Sequence, residues 1–243
     1  MTVSPEVVAQ LAPTGTLRAG VNLSNFLLVT GKSTNGDPEG VSPSMAAEIA
    51  RRLGVAVKYV PYQHPGPLAD DAEADKWDIG LIGAEPARAE KIAFTAAYCE
   101  IASTYLVPPN SAIQSIGDVD KPGIRIANYG RGAYGLWLER NVKHATLINA
   151  TSIDNAWEVF VAEKCDALSG LKPGLLKDVL KMPGARILDG QYSAVQQAIG
   201  TQKRNAAAAQ WLSAFVEEAK ASGFVASLID KHKVLGLSVA PAA

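Results

Sequence analysis

The feature that most constrains this chain is a repeated switch in the period of its apolar residues. Leu17, Ala19 and Val21 alternate within Thr16 to Val21, as in a half-buried strand. Met45, Ile49 and Leu53 then recur every four residues, as on one face of a helix that Gly54 closes. Ser42 is the expected N-cap of that helix, with Pro43 at its first position. Short β-branched runs follow at Val55 to Val60 and Trp77 to Ile82, separated by a helical or irregular link carrying Asp70, Asp71, Glu73 and Asp75. Ala93 to Pro108 reads as extended.

A second alternation begins beyond Pro108-Pro109-Asn110-Ser111. Strands are expected at Ile124 to Asn128, Ala145 to Asn149, Asp166 to Gly170 and Ala185 to Leu188. Helices are expected at Gly132 to Asn141, Ser152 to Glu163 and Pro173 to Lys181. Val195 to Gly200 is again extended, and helices over Asn205 to Ser222 and Phe224 to Lys233 complete the chain. Such alternation specifies parallel sheets with helices on their faces. The extended segments let the chain cross to a second lobe and return, giving lobe 1 from residues 1–105 and 195–243 and lobe 2 from residues 106–194.

Composition narrows the function. The 243 residues are 48% hydrophobic, enough for a buried core, and no run of eighteen apolar residues occurs. Lys and Arg number 23 against 24 Asp and Glu, a net charge of -1, so no global field points to nucleic acid. Binding must come from a local site. The two cysteines, Cys99 and Cys165, form no CxxC and read as small buried hydrophobes. His64, His144 and His232 are scattered without ligand spacing, so neither metal nor cofactor is expected. No G-x-S-x-G occurs to build a serine nucleophile. The start Met1-Thr2-Val3-Ser4-Pro5-Glu6 lacks a basic segment followed by an apolar one, which leaves the cytoplasm or a leader-cleaved mature form as alternatives.

Two motifs carry chemistry. Gly130-Arg131-Gly132-Ala133-Tyr134-Gly135 satisfies G-x-G-x-x-G between a strand and a helix, but Asn149 and Ala150 stand where a dinucleotide site wants an acid. What survives is an anion site at residues 130–133, where glycines admit close approach and the helix start offers unpaired N–H groups. Gly31-Lys32-Ser33 imitates the end of a P-loop, yet Phe26 replaces its first glycine and Asn35-Gly36 turns where a helix should begin. The second motif is Asp78 to Thr95, in which a buried strand ends at Gly83 and a short turn delivers Arg88 just beyond it. Open α/β sheets bind ligands at that edge. The guanidinium fork fits a carboxylate through two parallel hydrogen bonds, whereas a solvated Arg88 would pair with Glu85 or Glu90.

Across nearly its full length the chain resembles the extracellular solute-binding proteins that serve amino-acid ABC transporters, with the type II periplasmic binding fold. The resemblance rests on Gly15-Thr16-Leu17-Arg18-Ala19-Gly20-Val21, on Ser44 through Val55, and on Pro86-Ala87-Arg88-Ala89-Glu90-Lys91-Ile92-Ala93-Phe94-Thr95, in that order and spacing. It implies two α/β lobes, each a mainly parallel sheet flanked by helices, joined by two crossing strands and closing over a small molecule. It also implies that Arg88 binds a ligand carboxylate, that Asn128 to Ala133 open a helix contacting the same group, and that Phe26 lies against the ligand.

Three departures bear on the ligand. The loop from Gly83 to Arg88 is about two residues shorter than usual in the family, leaving Ala84 and Glu85 where hydroxyl residues normally stand. Arg131 replaces a threonine. Leu171, ending Asp166-Ala167-Leu168-Ser169-Gly170-Leu171, stands where the family has the aspartate that pairs with an α-ammonium. A buried ammonium without a counter-ion costs several kcal/mol. The expected ligand is therefore an organic acid lacking an α-amino group. It would be held by Arg88, Arg131, Asn128, Gly132 and Ala133, with Phe26 as a platform and Asn22, Tyr129, Tyr134 and Glu85 nearby. A monomer working with a membrane permease in the periplasm is expected. The alternatives are a cyclohexadienyl-type (prephenate or arogenate) dehydratase on the same scaffold, with Glu85 or Lys172 as its acid or amine, and a cytoplasmic ligand-sensing domain.

Overall fold

The computed structural model describes residues 2–243. The chain forms two compact units, one running through Glu100 together with Gln196–Ala243, the other Ile101–Val195.

The first unit opens with α1 (Pro5–Leu11), whose N-cap Ser4 accepts the Val7 N–H at 3.3 Å. β1 (Thr16–Asn22) leads through a small hairpin, β2 (Gly31–Lys32) and β3 (Pro38–Glu39), into α2 (Val41–Leu53). Then come β4 (Ala56–Tyr62), α3 (Pro65–Asp70), β5 (Ile79–Gly83), α4 (Pro86–Ala89), β6 (Ile92–Phe94) and the start of β7 (Cys99–Val107). β1 lies between β4 and β5 and runs parallel to both. Its Leu17, Ala19 and Val21 are buried, as are Met45, Ile49 and Leu53 of α2, as the two apolar periods require. Trp77 is fully buried between β1 and β5 because Gly20 and Gly80 leave room for its ring.

The start of α2 departs from the sequence expectation. Its cap is Gly40, at φ 146°, where a Cβ would stand 2.2 Å from the Leu28 carbonyl oxygen. Ser42 lies inside the first turn, and its buried hydroxyl meets the Tyr98 hydroxyl at 2.7 Å. Backbone conformation and a tertiary bond thus displaced the side-chain cap. Pro43 becomes the third helical residue, where a missing N–H costs no intrahelical bond.

In the second unit, β7 is followed by β8 (Arg125–Asn128), α5 (Ala133–Asn141), β9 (Thr146–Asn149), α6 (Ile153–Ala162), β10 (Ala167–Leu171), α7 (Lys172–Asp178) and β11 (Arg186–Ile187). β8 is parallel to both β9 and β10, while β7 is antiparallel to β10 and β11. Successive residues of the strands go to opposite faces. Tyr105, Val107, Ile126 and Ala167 pack with Leu138 of α5, whereas Leu106, Ala127 and Leu168 pack with Phe160 of α6 and Leu175 of α7. Cys165 is in the latter cluster. Cys99 is also buried, and burial pushes its thiol up to about 12.

β12 (Ser193–Gln202) carries the chain back to the first unit, antiparallel to β5 and β6. α8 (Ala206–Ala221), α9 (Phe224–Lys231) and β13 (Ser238–Val239) end the fold, with β13 on the Cys99–Glu100 stretch of β7.

Each unit fixes its parallel strands with the same device. Asp78, just before β5, accepts from the Arg18 backbone N–H at 2.8 Å and from its guanidinium at 3.1 and 2.7 Å, while its own N–H donates to the Arg18 carbonyl. Asp166, just before β10, accepts from the Arg125 backbone N–H at 2.8 Å and donates its N–H to the Arg125 carbonyl. There the Arg125 guanidinium turns to Glu163 instead. With about 1.5–3 kcal/mol for a hydrogen bond to a charged group, Asp78→Ala, which loses three such bonds, is expected to cost more than Asp166→Ala, which loses one. Chemical denaturation followed by circular dichroism checks the order; equal losses would contradict it.

Candidate functional site

The two units carry the expected site residues separately, at the carboxyl ends of their parallel strands. In the first unit β1 ends at Asn22. Its Oδ1 accepts from the Ser24 backbone N–H at 3.2 Å and from the Ser24 hydroxyl at 2.8 Å, folding the chain into a turn. The buried Asn25 repeats the pattern by accepting the Leu27 N–H at 3.2 Å. Between the buried Asn25 and Leu27, Phe26 is 38% exposed. Asn22 holds the turn, and the turn presents the ring.

The neighbouring strand β5 ends at Gly83, and α4 starts two residues later with Glu85 as N-cap and Pro86 at its first position. This single turn brings Arg88 back against the end of the strand it has just left. Arg88 is only 6% exposed, and its guanidinium donates to the Gly83 carbonyl at 2.7 Å. It is not the solvated arginine of the alternative reading. A guanidinium keeps its charge on burial, and its planar fork has the geometry that a carboxylate matches. Glu85 is half-buried on the same turn.

In the second unit β8 ends at Asn128, fully buried, whose side-chain amide donates to Asn149 Oδ1 at 2.8 Å. The position where a dinucleotide site would need an acid is thus committed to holding Asn128. The glycines are explained by close packing. A Cβ at Gly130 would lie 2.7 Å from Asn149 Oδ1, and one at Gly135 would lie 2.2 Å from the Tyr129 carbonyl oxygen. Gly132 caps α5 in extended backbone without a side-chain cap, and its N–H donates to Tyr129 O at 3.0 Å. The helix start is thereby pressed against the end of β8.

Arg131 is exposed between the buried Gly130 and Gly132. Ala133, Tyr129 and Tyr134 are buried with Val195 in an apolar cluster. Burial pushes the Tyr134 phenol up, and a backbone hydrogen bond from Tyr129 only partly offsets it. The two tyrosine rings therefore contribute through packing. Leu171, the last residue of β10, packs partly buried on the same cluster.

Sequence reasoning passed over Asn25, the Gly83 carbonyl and Tyr192. Tyr192 packs at a tilt against Tyr105 and Trp137, with ring centroids 4.6 and 5.1 Å away, and its hydroxyl meets Ser169 Oγ at 2.7 Å. It lies outside any periodic run, so the pattern carried no signal for it. Asn25 could have been found, because Asn-x-x-Asn after a strand signals successive side-chain turns. Among the described residues no group of three or more His, Cys, Asp and Glu could hold a metal, and no helix is long and apolar enough to cross a membrane.

Residues 18–234 match the family of bacterial extracellular solute-binding proteins, family 3. No curated protein matches the chain. Similar solved structures include a mutant of ArgBP from T. maritima, 21% identical over 93% of this chain and 99% of that one, with a TM-score of 0.73. An amino acid ABC transporter substrate-binding protein from Streptococcus pneumoniae, bound to L-arginine, is 18% identical over 96% and 99% of the two chains, with a TM-score of 0.73. The ancestral amino acid-binding protein AncCDT-1, a precursor of cyclohexadienyl dehydratase, is 21% identical over 92% and 98%, with a TM-score of 0.72. At these identities the likeness establishes the fold, the two-lobe type II periplasmic binding arrangement of α/β units.

Since Gly135 is the point of closest approach between α5 and the end of β8, Gly135→Ala must push the helix start away. The expected destabilisation is about 1–3 kcal/mol, the range for overpacking. Urea denaturation of the variant checks it, and an unchanged midpoint would show that the contact is not needed.

Proposed function

We propose, from the premise that this chain belongs to the bacterial extracellular solute-binding proteins, family 3, that it is the substrate-binding component of an ABC-type importer and takes a small organic anion without a conventional α-amino group. The observation that supports the ligand class most directly is Arg88, buried and steadied by the Gly83 carbonyl at the end of β5. Its fork suits a carboxylate. Arg131 and the start of α5 offer a second share of positive charge on the other lobe, from a side chain and from main-chain N–H groups. A ligand that draws on both shares favours the closed form by its differential affinity, and the closed form is what a permease would read.

Leu171 supports the second half of the proposal. It sits in an apolar cluster where the family resemblance calls for an aspartate, so an α-ammonium delivered there would be desolvated without a partner. Phe26 offers an aromatic face for the body of the ligand. The candidates are aromatic or aliphatic carboxylates, keto acids and compounds with two acidic groups. An importer role would go with a periplasmic location and a monomer that meets a membrane permease.

A dehydratase on this scaffold is the second reading, favoured by the half-buried Glu85 on the same turn as Arg88 and by the likeness to AncCDT-1. Turnover of prephenate or arogenate, lost in Glu85→Gln, would establish it in place of simple binding.

A thermal-shift screen of organic acids identifies the ligand, because binding to the native state raises the melting temperature. With that ligand, titration calorimetry of Arg88→Ala is expected to show a loss of about 2 to 5 kcal/mol, the range for truncating one partner of a buried charge pair. Less than tenfold weakening would remove the clamp. Leu171→Asp is expected to admit α-amino acids to the Arg88 site that the unaltered chain rejects there; tight binding of an α-amino acid by the unaltered chain that is lost in Arg88→Ala would overturn the ligand class.

A further inference from the structure

We propose that the first unit carries a second binding site, for a small zwitterion, in a hollow between the β2–β3 hairpin, the start of α2, β4 and the end of α9. The cavity has a volume of about 550 Å³, and every residue lining it belongs to the first unit. That is the size of a small-molecule site. The proposal does not rest on the importer reading or on Arg88.

Charges of opposite sign line the cavity at different places. Asp37 and Glu39 come from the hairpin, and Lys231 comes from the last turn of α9. Among the described residues none of the three forms an ion pair, as is also true of other exposed charges of this unit such as Lys32, Lys58 and Lys233; what sets these three apart is that they face one cavity. Asp37 and Glu39 on the β3 side of the hairpin and Lys231 on α9 give this cavity a negative and a positive side, while Lys32 of β2 lines the adjoining hollow with Asp37. An ammonium between Asp37 and Glu39 with an acidic group at Lys231 would satisfy all three.

The walls are held in place by bonds that do not consume those charges. Tyr59 of β4 donates its hydroxyl to the Pro43 carbonyl at 3.1 Å, which fixes the ring as an aromatic wall. His232 meets the Ser44 hydroxyl at 3.2 Å through Nε2 and the Thr30 hydroxyl at 3.5 Å through Nδ1, tying α9 to α2 and to the approach to the hairpin. Ser33 accepts the Asp37 N–H at 3.2 Å and donates its own N–H to the Asp37 carbonyl at 2.8 Å, closing the hairpin turn beneath the carboxylate. The fields of the charged groups reach the walls. Asp37 adds to burial in pushing the Tyr59 phenol up, while burial and Lys231 push His232 down against the opposing pull of Glu39. His232 is therefore neutral at neutral pH and leaves Lys231 as the positive end of the cavity.

The test titrates the full chain with ε-aminocaproate, whose two charges are separated by an apolar stem, and follows backbone amide shifts by NMR. Caproate and hexylamine serve as probes carrying one charge each. The expected result is saturable shifts around Asp37, Glu39, Tyr59 and His232 with ε-aminocaproate. Combined Asp37→Asn and Glu39→Gln substitution should weaken this by about tenfold or more, and Lys231→Met should erase the preference over hexylamine. All three positions are exposed, so the variants should keep the melting temperature of the parent. Arg88→Ala should leave the binding unchanged, which separates this site from the organic-acid site. Shifts that do not saturate, shifts that survive the double substitution, or equal affinity for hexylamine in the unaltered chain would each overturn the proposal.

Discussion

Asp78 and Asp166, each bonded to the backbone of an arginine on the adjacent parallel strand, are the interactions from which the geometry of both units follows. A one-residue slip in a strand sends its side chains to the opposite face, and parallel strands have no hairpin turn to fix their register. Each aspartate supplies that register at the amino edge. With Ala19 opposite Ile79 and Ile126 opposite Ala167, the carboxyl edges then follow, Asn22 beside the approach to Gly83 and Asn128 beside the approach to Leu171. The residues proposed to meet ligand stand at the far end of strands whose alignment is set some four or five residues away.

The carboxyl edges are shaped mainly by main-chain groups. The Gly83 carbonyl holds Arg88, the Tyr129 carbonyl receives the start of α5, and Asx turns at Asn22 and Asn25 present Phe26. Main-chain atoms are positioned by the sheet itself, so a side chain bonded to them inherits the rigidity of the strand. The G-x-G-x-x-G run has the same logic. Its glycines remove the Cβ atoms that would collide with Asn149 and with the Tyr129 carbonyl, which explains the motif without a nucleotide.

The fold was legible because its long elements keep one period, Leu17 to Val21 as a strand and Met45 to Leu53 as a helix face, whereas Tyr105, Leu106 and Val107 are all apolar and read only as extended, their division between two cores appearing in the structure. The short elements α1, α4 and the β2–β3 hairpin were not legible, since runs of seven, four and two residues are too short to establish a period. Ser42 was misplaced for a different reason. A serine before a proline scores as a cap on local chemistry, but the hydroxyl had a tertiary partner in Tyr98, fifty-six residues away in sequence, which no local pattern can display. At the site, the position of Arg88 at the end of a buried strand was readable from the sequence, whereas its burial on Gly83 and the packing of the Tyr129 and Tyr134 rings were not. Tyrosine beside a glycine-rich turn serves equally as a ligand contact or as the apolar support beneath one.

Selection at such a site can be exercised by what is withheld. In the proposed function, a carboxylate that loses its hydration would recover it from a guanidinium and helix N–H groups, a charge-assisted exchange. If the proposed site takes its ligand as the family resemblance implies, an α-ammonium on the same molecule would meet Leu171, and desolvating it without a partner costs several kcal/mol that a competing acid does not lose. The discrimination lies in the difference between two ligands that share a carboxylate, and one apolar side chain suffices to set its sign. An arginine at 131 and a leucine at 171, in place of the threonine and aspartate that the family resemblance implies, each make the second unit more positive, which is the direction the proposed preference for an anion requires.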